Sequence, residues 1–122
     1  MSFVGSEILT RLGEITREEA DKLQFGAVKV DNNGRIVLYN HYESQIGGIA
    51  PSSAEGKNFF TEIAPCTNNK LVYGRFKKGI QDGDLDAEMN YTFTYKMKPT
   101  NVTLHLKRDS ESNSNWIFVK AG

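Results

Sequence analysis

The chain is 122 residues long, with 15 Lys plus Arg against 15 Asp plus Glu and a single cysteine. That length makes one domain with a core of its own, and the balanced charge excludes an electrostatic attraction to nucleic acid or anionic membrane. A composition of 39% hydrophobic and 25% charged residues excludes a disordered chain, and one thiol excludes an internal disulfide.

The N-terminus lacks the basic start, apolar stretch and cleavage site of a signal peptide. No apolar run reaches membrane-spanning length, so a soluble cytoplasmic protein, monomeric, is expected. Residues 1–24 read as a helical cap on a core formed by residues 25–122. Ser6 is placed to cap a helix through Leu12, with Gly13 as its stop. Thr16-Arg17-Glu18-Glu19 matches a capping box for a second helix. Both helices carry little apolar surface and are expected to leave a larger body at low cost.

Gly26 to Asp31 alternates as a strand, Asn32-Asn33-Gly34 turns, and Arg35 to Asn40 returns. Gly47, Gly48, Pro51 and Gly56 break residues 41–65 into short turns and helices. Leu71 to Gln81 reads as a helix with Leu71, Val72, Arg75, Phe76, Gly79 and Ile80 near one face, ended at Asp82-Gly83-Asp84. Met89, Tyr91, Phe93, Tyr95 and Met97 then alternate with polar residues, the clearest strand signal in the chain. Pro99-Thr100-Asn101 reads as a turn. Val102, Leu104 and Leu106 alternate again, with His105 on the polar phase, and Trp116 to Val119 forms the last strand. The expected fold is α+β: a five-stranded antiparallel sheet with short helices on one face, an N-terminal cap, and a ligand pocket between sheet and helices.

Three side chains carry possible chemistry. Cys66 follows Phe59, Phe60, Ile63 and Ala64, and Pro65 forces Ala64 out of the helical region, so the thiol sits on a stiff bend with an apolar approach. It is a small core residue, a redox-sensitive thiol or an attachment point. Tyr39 ends a strand and Glu43 follows four residues later; a helical turn over 40–45 brings both to one side. By residue type alone, Tyr39 is a half-buried strand residue and Glu43 a solvated carboxylate. The two histidines, His41 and His105, have no companions at metal-ligand spacing, and there is no phosphate-cradling glycine loop.

Asn58-Phe59-Phe60, Ala64-Pro65-Cys66-Thr67, Phe25-Gly26-Ala27, Tyr39-Asn40 with Glu43, Tyr91-Thr92-Phe93 with Tyr95 and Met97, and Trp116-Ile117-Phe118-Val119-Lys120 together resemble the photoactive yellow protein family. The resemblance runs from about Phe25 to Lys120. It implies a PAS-type blue-light photoreceptor, not an enzyme, carrying p-coumaric (4-hydroxycinnamic) acid as a thioester on Cys66. It implies that Tyr39 and Glu43 hydrogen-bond the buried phenolate, and that Phe59, Tyr91, Phe93, Tyr95 and Met97 line or neighbour the pocket, with Met97 assisting recovery. Light isomerises the chromophore's double bond, Glu43 gives its proton to the phenolate, and the cap loosens towards a downstream signalling protein the sequence does not name. The family often has a hydroxyl-bearing threonine and an arginine where this chain has Gly47 and Ile49, so the phenolate is expected to be less favoured here. The alternative is a PAS sensor or interaction module with another ligand, such as flavin or haem, or with none. The Pro65-Cys66-Thr67 context differs from that of a flavin photosensor.

Overall fold

The computed structural model describes residues 3–94 and 99–121. Its centre is an antiparallel sheet of β1 (Gly26–Val30), β2 (Ile36–Tyr39), β3 (Asp86–Phe93), β4 (Thr100–Asp109) and β5 (Ser114–Ala121), in the spatial order β2-β1-β5-β4-β3. Between β2 and β3 run α3 (His41–Gly47), α4 (Pro51–Ala54), a π-helical turn Phe59–Ile63, a 3₁₀ turn Pro65–Thr67, a second π-helical turn Lys70–Gly74 and α5 (Arg75–Asp82). Before β1 lie α1 (Ser6–Leu9), a 3₁₀ turn Leu12–Glu14 and α2 (Arg17–Asp21).

Alternation along the strands sends apolar side chains to both faces, and each face has its own core. One core holds Val28, Tyr39, Phe59, Phe60, Phe76, Phe93, Leu104, Leu106, Ile117 and Val119, covered by the middle helices. The other holds Ala27, Leu38, Trp116 and Phe118 under Val4, Leu12, Ile15 and Ala20 of the N-terminal segment. β5, at the centre of the sheet, is therefore buried from Ser114 to Val119.

The hairpin forms at Asn32-Asn33-Gly34, with the Asp31 carboxylate accepting the backbone N–H groups of Asn33 and Arg35, each at 2.9 Å. Thr16 caps α2, its hydroxyl accepting the Glu19 N–H at 3.2 Å.

Five details differ from the sequence expectation. Ser6 lies inside α1 and Gly5 holds the cap position, without a side-chain cap. α1 ends at Leu9, and Gly13 sits within the following 3₁₀ turn instead of stopping a helix. Leu71 is exposed: it belongs to a π-helical turn, where the extra residue rotates it off the apolar face. Thr100 and Asn101 are not turn residues: they lie in β4, opposite Phe93 and Thr92. His105 is buried, because the face taken as solvated is covered by the N-terminal segment. Its ring meets those of Phe3 and Phe118, and its Nε2 lies 2.6 Å from Asp86 Oδ1.

Candidate functional site

The cysteine turn is built by local backbone geometry. Asn58 Oδ1 accepts the N–H groups of Phe60 and Thr61 and starts the first π-helical turn. That turn buries Phe59, Phe60 and Ile63 in the main core. Ala64 then takes φ −126°, ψ 68°, the non-helical conformation expected before proline. Pro65–Thr67 closes a 3₁₀ turn, with the Thr67 N–H bonding the Ala64 carbonyl at 2.9 Å. Cys66 is partly exposed, its thiol is free, and it packs against the main core. The Thr94 N–H points at its sulfur at 3.5 Å.

Tyr39 is fully buried at the end of β2. Asn40 caps α3, its Oδ1 accepting the Glu43 N–H at 3.0 Å and the Ala27 N–H at 2.9 Å. Its Nδ2 donates to the carbonyls of Ala20 at 2.7 Å and Phe25 at 3.1 Å. Asn40 and Glu43 have the spacing of a capping box, but the box is half made. The Asn40 N–H, which the glutamate would serve, is taken by the Ala27 carbonyl at 3.1 Å. The Glu43 carboxyl is thereby left over for the interior. It is fully buried, and neither oxygen has a hydrogen-bond partner among the described residues. Burial pushes its pKa up from 4.5 to about 8, which favours the neutral form that can donate a hydrogen bond.

Room for that carboxyl comes from Gly26. A Cβ there would run into Glu43 Oε1 and sit 3.2 Å from Val119 Cβ. Gly26→Ala is expected to push the carboxyl from its place and lower stability by about 1–3 kcal/mol. An unchanged urea midpoint would show that the carboxyl has free space elsewhere.

Of the other expected site residues, Phe59 and Phe93 are buried in the main core, and Ile49 and Tyr91 pack against it. Gly47 is buried at the end of α3, where Gly48 closes the helix at φ 68°. Tyr95 and Met97 lie outside the described residues.

This chain is 41% identical over 120 residues to the photoactive yellow protein of Rhodothalassium salexigens, covering 98% of the chain and 96% of that protein. The chain belongs to the photoactive yellow protein family. The photoactive yellow protein of Halochromatium salexigens is likewise 41% identical, over 97% of the chain and 94% of its own length. Among solved structures, the photoactive yellow protein domain of the sensor histidine kinase Ppr from Rhodospirillum centenum matches with a TM-score of 0.84 and 37% identity. That match covers 93% of this chain and 97% of that domain. The quorum-sensing receptor PAS domain of Cronobacter turicensis, at 14% identity and a TM-score of 0.67 over 82% and 95% of the two chains, shares the fold alone. No family model matches the chain. Membership makes the protein a photoreceptor of PAS type.

Asn40 and Gly26 stand within the family motifs, but sequence reasoning gave neither a role of its own. The Asn-x-x-Glu spacing was the available signal for Asn40. Gly26 carried no local signal, since its close approach is to Glu43 and Val119, distant in sequence. Among the described residues, no helix is long and apolar enough to cross a membrane and no His, Cys, Asp and Glu cluster is arranged to hold a metal.

Proposed function

We propose that the protein is a blue-light photoreceptor in which Cys66 holds p-coumaric acid as a thioester and Glu43 is the proton donor of the light response. The observation that carries this is the Glu43 carboxyl, fully buried and with neither oxygen bonded among the described residues, in a member of this family. A buried polar group without a partner is costly, and a ligand oxygen placed there removes the cost. The donor set fits a phenolate. Neutral Glu43 has an O–H to give, the Tyr39 hydroxyl is buried at the end of β2 just before α3, and the only thiol stands on the same core.

When bound, p-coumaric acid supplies an isomerisable double bond and a phenol oxygen that exchanges a proton. Cys66 anchors the acyl end, and Tyr39 and Glu43 hold the phenol oxygen. Phe59, Phe93 and Ile49 exclude water, with Tyr91 packed beside them; for Tyr95 and Met97 the support is the family resemblance. Glu43 stores the proton because burial favours its neutral form. Once Glu43 hands that proton over, a carboxylate is left in the interior at a cost of several kcal/mol. That is a large share of a domain stability of roughly 5–15 kcal/mol.

The strain falls on the N-terminal segment. Residues 1–24 act as a releasable cap on residues 25–122, tied to the Glu43 region at three points. These are Asn40 to the Ala20 carbonyl, the His41 N–H to Asp21 Oδ1 at 2.8 Å, and Arg17 to Glu55 at 2.7 Å. The Glu55 carboxylate also accepts the Tyr39 N–H at 3.0 Å. Loosening of this cap is the signal offered to a downstream signalling protein, from a monomer in the cytoplasm.

The test is reconstitution with an activated ester of p-coumaric acid. A coumaroyl mass added to Cys66, together with a blue-absorbing band that bleaches in light, is the expected result. Flavin or haem bands in the purified protein, or no adduct, would overturn the reading. A second outcome concerns Gly47 and Ile49. Gly47 offers no hydroxyl to Tyr39 and Ile49 brings no positive charge, so the phenolate is less favoured. Titration in the dark from neutral to mildly acidic pH is expected to show a growing neutral, blue-shifted band. A single unchanged band refutes that expectation.

A further inference from the structure

We propose that Asn69 and Tyr91 are positioning residues for the Cys66 sulfur: together they fasten the cysteine's main-chain carbonyl to β3 and so set where the sulfur lies. The inference deepens the reading of Cys66 as an attachment point and rests on it.

The Cys66 carbonyl accepts from Asn69 Nδ2 at 3.1 Å and from the Tyr91 hydroxyl. Asn69 Nδ2 also donates to Tyr91 Oη at 2.7 Å. The hydrogens account for themselves. The amide has two N–H bonds, one for each oxygen, and the phenol gives its single O–H to the carbonyl. The orientation of the amide is fixed too, because Asn69 Oδ1 accepts the Val72 N–H at 2.9 Å; the flipped amide would set N–H against N–H. Backbone bonds of the turn run to the carbonyls of Ala64, Pro65 and Thr67, while the Cys66 carbonyl is served by side chains.

Tyr91 stands opposite Val102 of β4, so its hydroxyl is anchored in the sheet. Three residues further on, the Thr94 N–H meets the Cys66 sulfur itself. Both ends of one residue, carbonyl and sulfur, are thus held by β3 and the residue that follows it. A displacement at the sulfur is felt in β3, and a change in β3 moves the sulfur.

The test begins with the chromophore-free protein and iodoacetamide. The Cys66 thiolate displaces iodide: an S–C bond forms, the C–I bond breaks, and the thiol proton goes to solvent. Two variants remove the contacts while sparing the turn. Asn69→Ser keeps a capping oxygen for the Val72 N–H but removes both amide donors. Tyr91→Phe removes only the hydroxyl. Each is expected to alkylate roughly two- to tenfold faster than wild type, the factor that a lost hydrogen bond represents. The faster rate should not depend on urea well below the unfolding midpoint, as for a local release. A wild-type rate in both variants overturns the proposal, as does an acceleration that climbs with urea from zero denaturant, the mark of general loosening. Loading with the activated p-coumaric ester separates the two readings. Should wild type take no label, the attachment reading fails by itself; should wild type load while both variants alkylate at its rate, only the positioning role falls.

Discussion

Cys66→Ser protein treated with an activated ester of p-coumaric acid is expected to keep its unmodified mass and stay colourless. The chain has no second thiol to take over. Thioester formation needs a sulfur nucleophile, which expels the leaving group of the activated acid as the S–C bond forms. An alcohol without an adjacent general base is a far weaker nucleophile near neutral pH, so loading should fall by at least about a hundredfold. Among the described residues, no histidine lies in that turn to serve as the base: His105 is on the other face of the sheet, paired with Asp86, and His41 begins α3. The substitution changes one atom on a partly exposed turn, and the fold should survive it. Circular dichroism matching wild type confirms that the loss is chemical. A coumaroyl adduct found on any other side chain of wild type would remove Cys66 from the account.

The contrast between what the sequence revealed and what it hid follows the range of the interactions. The hairpin at Asn32-Asn33-Gly34 and the alternation of Met89, Tyr91 and Phe93 are local patterns, and both appear in the sheet as read. His105 was misread because alternation tells which side chains share a face, not whether water reaches it. The N-terminal segment, about a hundred residues away in sequence, places Phe3 over that ring. Leu71 was misread because a helical period of 3.6 was assumed where the backbone inserts a π-helical turn. The bend before Cys66 was legible from Pro65, while a role for the thiol itself came only through family resemblance. Glu43 was legible only through family resemblance. By residue type it belongs in water, and what buries it is the pairing of the Asn40 cap with the space above Gly26. The fastening of Cys66 to β3 could not be read at all, since Asn69 and Tyr91 are 22 residues apart and meet only across the folded site.

Glu43→Gln should flatten the pH dependence of stability in the chromophore-free protein. The carboxyl titrates at about 8 when buried, against 4.5 as its ordinary value. A raised carboxyl pKa means that the folded chain binds more protons than the unfolded one between those two values. The resulting stabilisation is complete below about pH 4.5 and is lost as pH rises through about 8. The slope within that window is about 1.4 kcal/mol per pH unit for one group. From pH 5 to 8, wild type should therefore lose on the order of 3 kcal/mol relative to the glutamine variant. Urea midpoints measured at several pH values give this difference. The slope is the readout, because any fixed cost of burying the glutamine amide shifts both ends of the curve equally. Parallel curves for the two proteins would mean that water reaches the carboxyl. In the loaded protein the same substitution keeps a donor for the phenolate but has no proton to transfer. The variant should stay coloured, yet light should leave no charge in the interior and the N-terminal helices should remain docked. Light-driven loss of those helices to the wild-type extent in Glu43→Gln would sink the link between proton transfer and release of the cap.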